Sequence, residues 1–182
     1  HMAFSTLNPW IESLLELGPQ SPYFKHFGIN WWNEKLKNYG KLMLPILGEP
    51  LSSILESKQA QISYDEKGLA LRYYEHRIPL SSSSCFGLIN QVVDQASQAE
   101  ATAQFTQLLS VLERFTPDQE EKVLPKEWQN FKDQWQELFH HDAFRLILTH
   151  TVEELNQDTE ALEKLINQQY FRLVHWKETE RE

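Results

Sequence analysis

The residues of this chain that could do chemistry are its acids and its histidines. General acid–base work on a glycosidic bond, in its retaining form, needs two carboxyl groups about 5–5.5 Å apart, one of them desolvated. The sequence has 26 Asp and Glu among 182 residues. Nine of the eighteen in its second half (Glu113, Glu120, Glu121, Asp133, Glu137, Glu153, Glu154, Glu160, Glu163) fall on polar helix faces and read as solvated. No pair stands out. His140-His141-Asp142 with His150 suggests a metal, but adjacent histidines on a helix point in different directions, and no HExxH spacing is present. No metal or cofactor is therefore expected. Ser, His and acid occur without a GxSxG elbow, and neither a P-loop nor a GxGxxG is found. Cys85 is the only cysteine, which excludes an intrachain disulfide and a cysteine-based zinc site.

Aromatic residues are the second resource. Trp128 and Trp135 share one helical stripe and read as core. Trp31-Trp32 beside Tyr23, Phe24 and His26 offers a flat apolar face that suits a sugar ring, although core packing is the stronger reading of such a cluster.

The elements that must position these residues divide near position 87. All six glycines and six of the eight prolines lie at or before it. Residues 1–80 balance eight basic against eight acidic side chains, so the net charge of −9 arises wholly from 81–182. That charge argues against a nucleic-acid binder. No apolar run reaches the ~20 residues of a membrane span, so a cytoplasmic protein without membrane contact is expected.

The fold class predicted is α+β, with a small, mostly antiparallel sheet from about 25 to 80 followed by a helical subdomain. The divisions are 1–80, a linker at 81–87, helices over 88–169 and a return segment over 170–182. A helix is expected over Pro9–Leu17, capped by Asn8 and stopped by Gly18. Lys41–Leu47 reads as an edge or bent strand because of Pro45, and Glu49–Ser57 as a helical turn. Gln59–Tyr64 and Leu69–Tyr74 form a hairpin around Asp65-Glu66-Lys67-Gly68. Ser81–Ser84 reads as a polar linker. Helical stripes follow at Leu88–Ala96, Phe105–Leu112, Trp128–Leu138, Phe144–Leu155 and Leu162–Ile166, with caps at Thr116 and Asp158 and a terminal strand near Tyr170–Trp176.

Several stretches together carry a resemblance. They are NPW (Asn8–Trp10), LGPQSPYFKHFGINW (Leu17–Trp31), GKLMLPILG (Gly40–Gly48), LRYYEHRIPL (Leu71–Leu80) and LEKLINQQYFRLVHWKETERE (Leu162–Glu182). In order and interval they resemble the malto-oligosyltrehalose synthases, a family of α-amylase-type glycoside hydrolases, whose corresponding motifs read NPWW, ENGPxSPYAxYFDIDW, GKVLLPVLG, LRYYDHRFPL and LLxxQxYRLAYWRxAxxE. His1-Met2-Ala3 also keeps the spacing of the family's VPNHMA…NPW, a register that favours native sequence over the alternative of a cloning remnant. Two departures matter. Gly28 and Asn30 stand where the family's FDIDW has aspartates, and Phe171, His175 and Lys177 replace Tyr, Tyr and Arg.

The resemblance implies an inserted domain between strands three and four of a (β/α)₈ barrel, with the chain ends close together. The parent enzyme would be an isomerase of trehalose biosynthesis. It would convert the reducing-end α-1,4 linkage of a maltodextrin into an α,α-1,1 linkage, by a retaining mechanism in which the released glucose is recaptured. The family's nucleophile and acid would lie beyond Glu182, so no catalytic residue is expected here and the fragment alone should be inactive. His1 would contact sugar, with Tyr23, Trp31, Tyr74, His76, Arg77 and Trp176 as weaker candidates for lining the cleft. The expected partners are a maltooligosaccharide and the rest of the barrel in cis, with self-association through surface the barrel would cover. The alternative is a free-standing α+β module whose acidic helical arm binds a protein partner.

Overall fold

The computed structural model describes residues 9–24, 41–98 and 124–177, with the side chains of 96–98 excepted. Asn8, Gly28, Asn30, the Phe105–Leu112 stripe, the Thr116 cap and both chain ends lie outside the described residues. The architecture is α+β, with two small sheets and helices packed around one continuous core.

Helix α1 (Pro9–Leu17) buries Ile11, Leu14, Leu15 and Leu17. It stops at Gly18, whose backbone is left-handed (φ +57°) and lies so near the Tyr170 ring that a Cβ there would come within 2.6 Å of it. Strand β1 (Leu42–Leu47) is followed by the short α2 (Leu51–Glu56) and by a three-stranded antiparallel meander, β2 (Ala60–Asp65), β3 (Gly68–Tyr73) and β4 (His76–Pro79). The hairpin is tighter than its sequence suggests. Asp65 and Gly68 pair with each other, leaving Glu66-Lys67 as a two-residue turn, with Gly68 at φ +130° and Lys67 N–H donating to Asp65 Oδ1 (2.8 Å). The outer edge of β2 is covered by a side chain: Asn156 donates to the Ile62 carbonyl (2.9 Å) and accepts from its N–H (2.8 Å), as a neighbouring strand would.

Helix α3 (Ser82–Gln98) begins inside the serine run read as a linker. Ser81 Oγ accepts the Ser84 N–H (3.3 Å), so these serines are a capping sequence rather than a spacer. Buried Gln169 holds the same turn, accepting from Ser81 N–H (2.7 Å) and donating to Ser84 Oγ (2.8 Å). Then come α4 (Pro125–Phe139), α5 (Asp142–Gln157), α6 (Thr159–Asn167) and β5 (Phe171–His175). Trp128, Phe131, Trp135, Leu138, Phe144, Leu148, Val152, Leu162 and Ile166 all turn inward, as their helical spacing predicts. Asp158 caps α6 by accepting the Ala161 N–H.

One expectation of the sheet needs correcting. Strand β1 does not join the antiparallel meander; it pairs in parallel with β5, Leu42 beside Phe171 and Leu44 beside Leu173. Pro45 has no N–H to give to a ladder, and the register slips between Leu44 and Leu47, where it sits. The core spans the front and back of the chain without a break, from Ile11 through Leu71 to Trp135 and Ile166. No helix among the described residues is long and apolar enough to cross a membrane.

Candidate functional site

The segments that are separate in sequence meet at the ends of β1 and β5. The Leu47–Gly48 peptide unit is held from both sides: its carbonyl accepts the Trp176 N–H (3.1 Å), and its N–H donates to the Tyr73 hydroxyl (3.2 Å). At the other end of the pair, Leu42 N–H donates to the Tyr170 carbonyl (2.7 Å), Lys41 Nζ donates to the Asn167 carbonyl, and Gly18 abuts the Tyr170 ring.

Around the Leu47 end stands an aromatic group. Buried Tyr73 makes an edge contact with Tyr74 (centroids 4.8 Å) and stacks on His76 (6.3 Å). Tyr74 is 67% exposed and adopts a left-handed backbone (φ 53°), a conformation costing a non-glycine residue about 1–2 kcal/mol. Its hydroxyl is tied to Gln59 Oε1 (3.0 Å). Trp176 is 49% exposed, stacks on His175 (5.8 Å) and carries the Lys177 ammonium over its ring (5.3 Å). Lys177 N–H donates to His175 Nδ1 (3.1 Å), so the neutral ring of His175 bears its proton on Nε2. Beside these residues lies a groove of about 460 Å³ that Leu47, Glu49, Leu51, Arg172, His175 and Lys177 help to line. Exposed aromatic faces with flanking donors suit the apolar faces and hydroxyls of a pyranose.

The residues singled out from sequence thus separate. Tyr74, His76 and Trp176 belong to this end of the strand pair. Arg77 is committed elsewhere: its guanidinium makes two bonds to Asp65 (2.7 and 2.9 Å), with Arg72 at 3.8 Å. Tyr23 stacks on Trp10 of α1 (5.7 Å, 24°). His1 and Trp31 lie outside the described residues. No group of three or more His, Cys, Asp or Glu among the described residues could hold a metal ion. His150 instead pairs with Glu154 along its own helix (3.0 Å).

Sequence reasoning missed the acid with the most unusual environment. Glu16 is 6% exposed, accepts the Trp128 indole N–H (3.0 Å) and pairs with Lys132 Nζ (2.9 Å). Burial pushes its carboxyl above the ordinary value, and Lys132 and Trp128 only partly offset that. The sequence pointed the other way: Glu16 lies one turn from Glu12 on the same helix face, a spacing that reads as solvated. Asp65 goes the other way. Burial also raises it, but two bonds from Arg77, the Lys67 N–H and Arg72 outweigh burial and hold it below its ordinary value.

No family model matches the chain, and neither the curated proteins nor the solved structures give a match.

Proposed function

We propose that this chain is an inserted domain of an intramolecular transglycosylase, one that converts the reducing-end α-1,4 linkage of a maltodextrin into an α,α-1,1 linkage. Its role is to shape the sugar cleft, with Tyr74, Trp176 and His76 as the residues nearest substrate. The observation that carries this reading is the convergence of the segments bearing the resemblance. Leu42–Leu47 of GKLMLPILG and Phe171–His175 of the closing segment run side by side as parallel strands, LRYYEHRIPL reaches the end of that pair through Tyr73, and Gly18 packs on Tyr170. Two neighbouring parallel strands with exposed aromatics at their C-terminal ends are also what barrel chemistry uses, since barrel sites form at that face.

Retaining chemistry needs a nucleophile and an acid held together. The only deeply buried carboxyl among the described residues, Glu16, is engaged by Lys132 and Trp128, and the resemblance places both catalytic groups beyond Glu182. The test uses maltopentaose with the product of the complete reading frame and, separately, with the 182-residue chain. Loss of reducing ends without chain shortening is expected from the first, and no conversion from the second. Hydrolysis alone by the complete product, or conversion by the 182-residue chain, would overturn the assignment.

A further inference from the structure

Glu16 sits at one wall of a partly open cavity of about 260 Å³ between α1, α4 and the β2–β3 turn. Its two oxygens are used differently. Oε2 takes the Trp128 indole N–H, and Oε1 takes the Lys132 ammonium, which also lies over the Trp128 ring (5.8 Å). Lys132 is a third exposed, whereas Glu16 is deeply buried. One partner of the pair therefore has water within reach and the other does not.

We propose that Glu16 is a proton-operated clasp: ionised, it holds Lys132 of α4 against α1, and protonated, it keeps Trp128 but releases Lys132 into the cavity mouth. The asymmetry of the partners is the reason. A neutral carboxyl still accepts the indole N–H through its carbonyl oxygen, so that bond survives protonation. The ammonium loses its counter-charge and gains more from hydration than from a neutral oxygen.

The site as a whole favours the protonated form, through burial against the pull of the nearest charge. Burial is the largest influence and raises the carboxyl, Lys132 opposes it, and Glu12 one turn back on α1 raises it further. From the β2–β3 turn, Glu66 and Lys67 face the same cavity with opposite signs, and Asp133 of α4 adds another acid. Arg77 of β4 also lines it, but its guanidinium is committed to Asp65. Cys85 of α3 stays a neutral thiol, because burial and Glu16 itself push it up.

The test follows the Trp128 indole ¹H–¹⁵N resonance, assigned through Trp128→Phe, from about pH 4 to about pH 8, a range spanning ordinary Glu and His titrations. The resonance should shift with a midpoint above the ordinary glutamate value of 4.5. The transition should vanish in Glu16→Gln, which keeps an acceptor for the indole. In Lys132→Met it should move to still higher pH, because the charge that favours the carboxylate has gone. A transition that survives Glu16→Gln, a midpoint unmoved by Lys132→Met, or an indole that does not titrate would each overturn the proposal. Lys132 is partly exposed, so the methionine variant supplies a folded test if Glu16→Gln does not fold.

Discussion

The Asp65 and Glu16 corners make a natural pair. Each is an acid from the front of the chain bound to a base, each touches a tryptophan of α4, and each ties separate elements together. Yet their carboxyl groups are displaced in opposite directions. Asp65 is a third exposed and receives two planar guanidinium bonds and a backbone N–H, with Arg72 close by. Glu16 is nearly sealed and receives one ammonium and one indole N–H. A carboxylate is held ionised by the number and geometry of its donors, and depth of burial works against them.

Removing the support beneath Asp65 is the most severe way to break this comparison. The Trp135 indole donates to the Asp65 carbonyl (2.8 Å), and its ring, 1% exposed, packs against Phe144 and Phe131. Trp135→Ala should cost about 3–5 kcal/mol of stability in denaturant unfolding. A cost below about 1 kcal/mol would mean that the core does not rest on this ring.

Asp65→Asn sharpens the contrast. It strands the largely buried Arg77 guanidinium and should cost about 2 kcal/mol near neutral pH, a figure reduced for the third of Asp65 that water already screens. The pH dependence carries the sign. Because the folded carboxyl is held low, its contribution is complete above the ordinary value of 3.8 and is lost as pH falls through the folded value. The acid limb of the stability profile should therefore flatten in Asp65→Asn, and an unchanged limb would contradict the pairing.

Glu16→Gln gives the smallest change and the opposite slope. A raised carboxyl favours the fold most at low pH and loses that advantage as pH rises from 4.5 through the folded value. Replacing it should leave stability within about 1 kcal/mol near neutral pH, since glutamine keeps an acceptor for the indole, carries no desolvated charge, and leaves behind a lysine that is a third exposed and can be hydrated, unlike Arg77. Stability that fell by several kcal/mol would place Glu16 with Asp65 and erase the distinction.

How legible these corners were follows from the same physics. Periodicity predicted the buried faces of α4, α5 and α6 because a helix repeats its neighbours every turn, and Gly18 and Asp158 marked ends by local backbone chemistry. The Ser81–Ser84 run was ambiguous, since the residues that make a spacer also make a cap. Pairing β1 with β5 was not readable from the residues alone: parallel partners distant in sequence leave no local turn to announce them. Arg77 stood out through its motif, but the motif did not reveal that Asp65 occupies it. Glu16 was not legible, because it shares a helix face with Glu12 and the groups that bury it, Trp128 and Lys132, lie over a hundred positions away.

The strap between β1 and β5 also dictates an order of assembly. Lys41 and Asn167, bonded at its base, are 126 residues apart, whereas the meander closes through two-residue turns. Contacts that distant must first overcome the entropy of closing the chain between them, and such topologies fold slowly. The meander can form before the helices dock, but the strap has to wait until the intervening chain has been drawn in. Folding kinetics should show it: Leu71→Ala in the meander should slow refolding, while Leu173→Ala in the strap should mainly hasten unfolding. If Leu173→Ala slowed refolding as much as Leu71→Ala did, the two ends of the chain would have to meet early, and the strap would be a nucleus rather than a closing stitch.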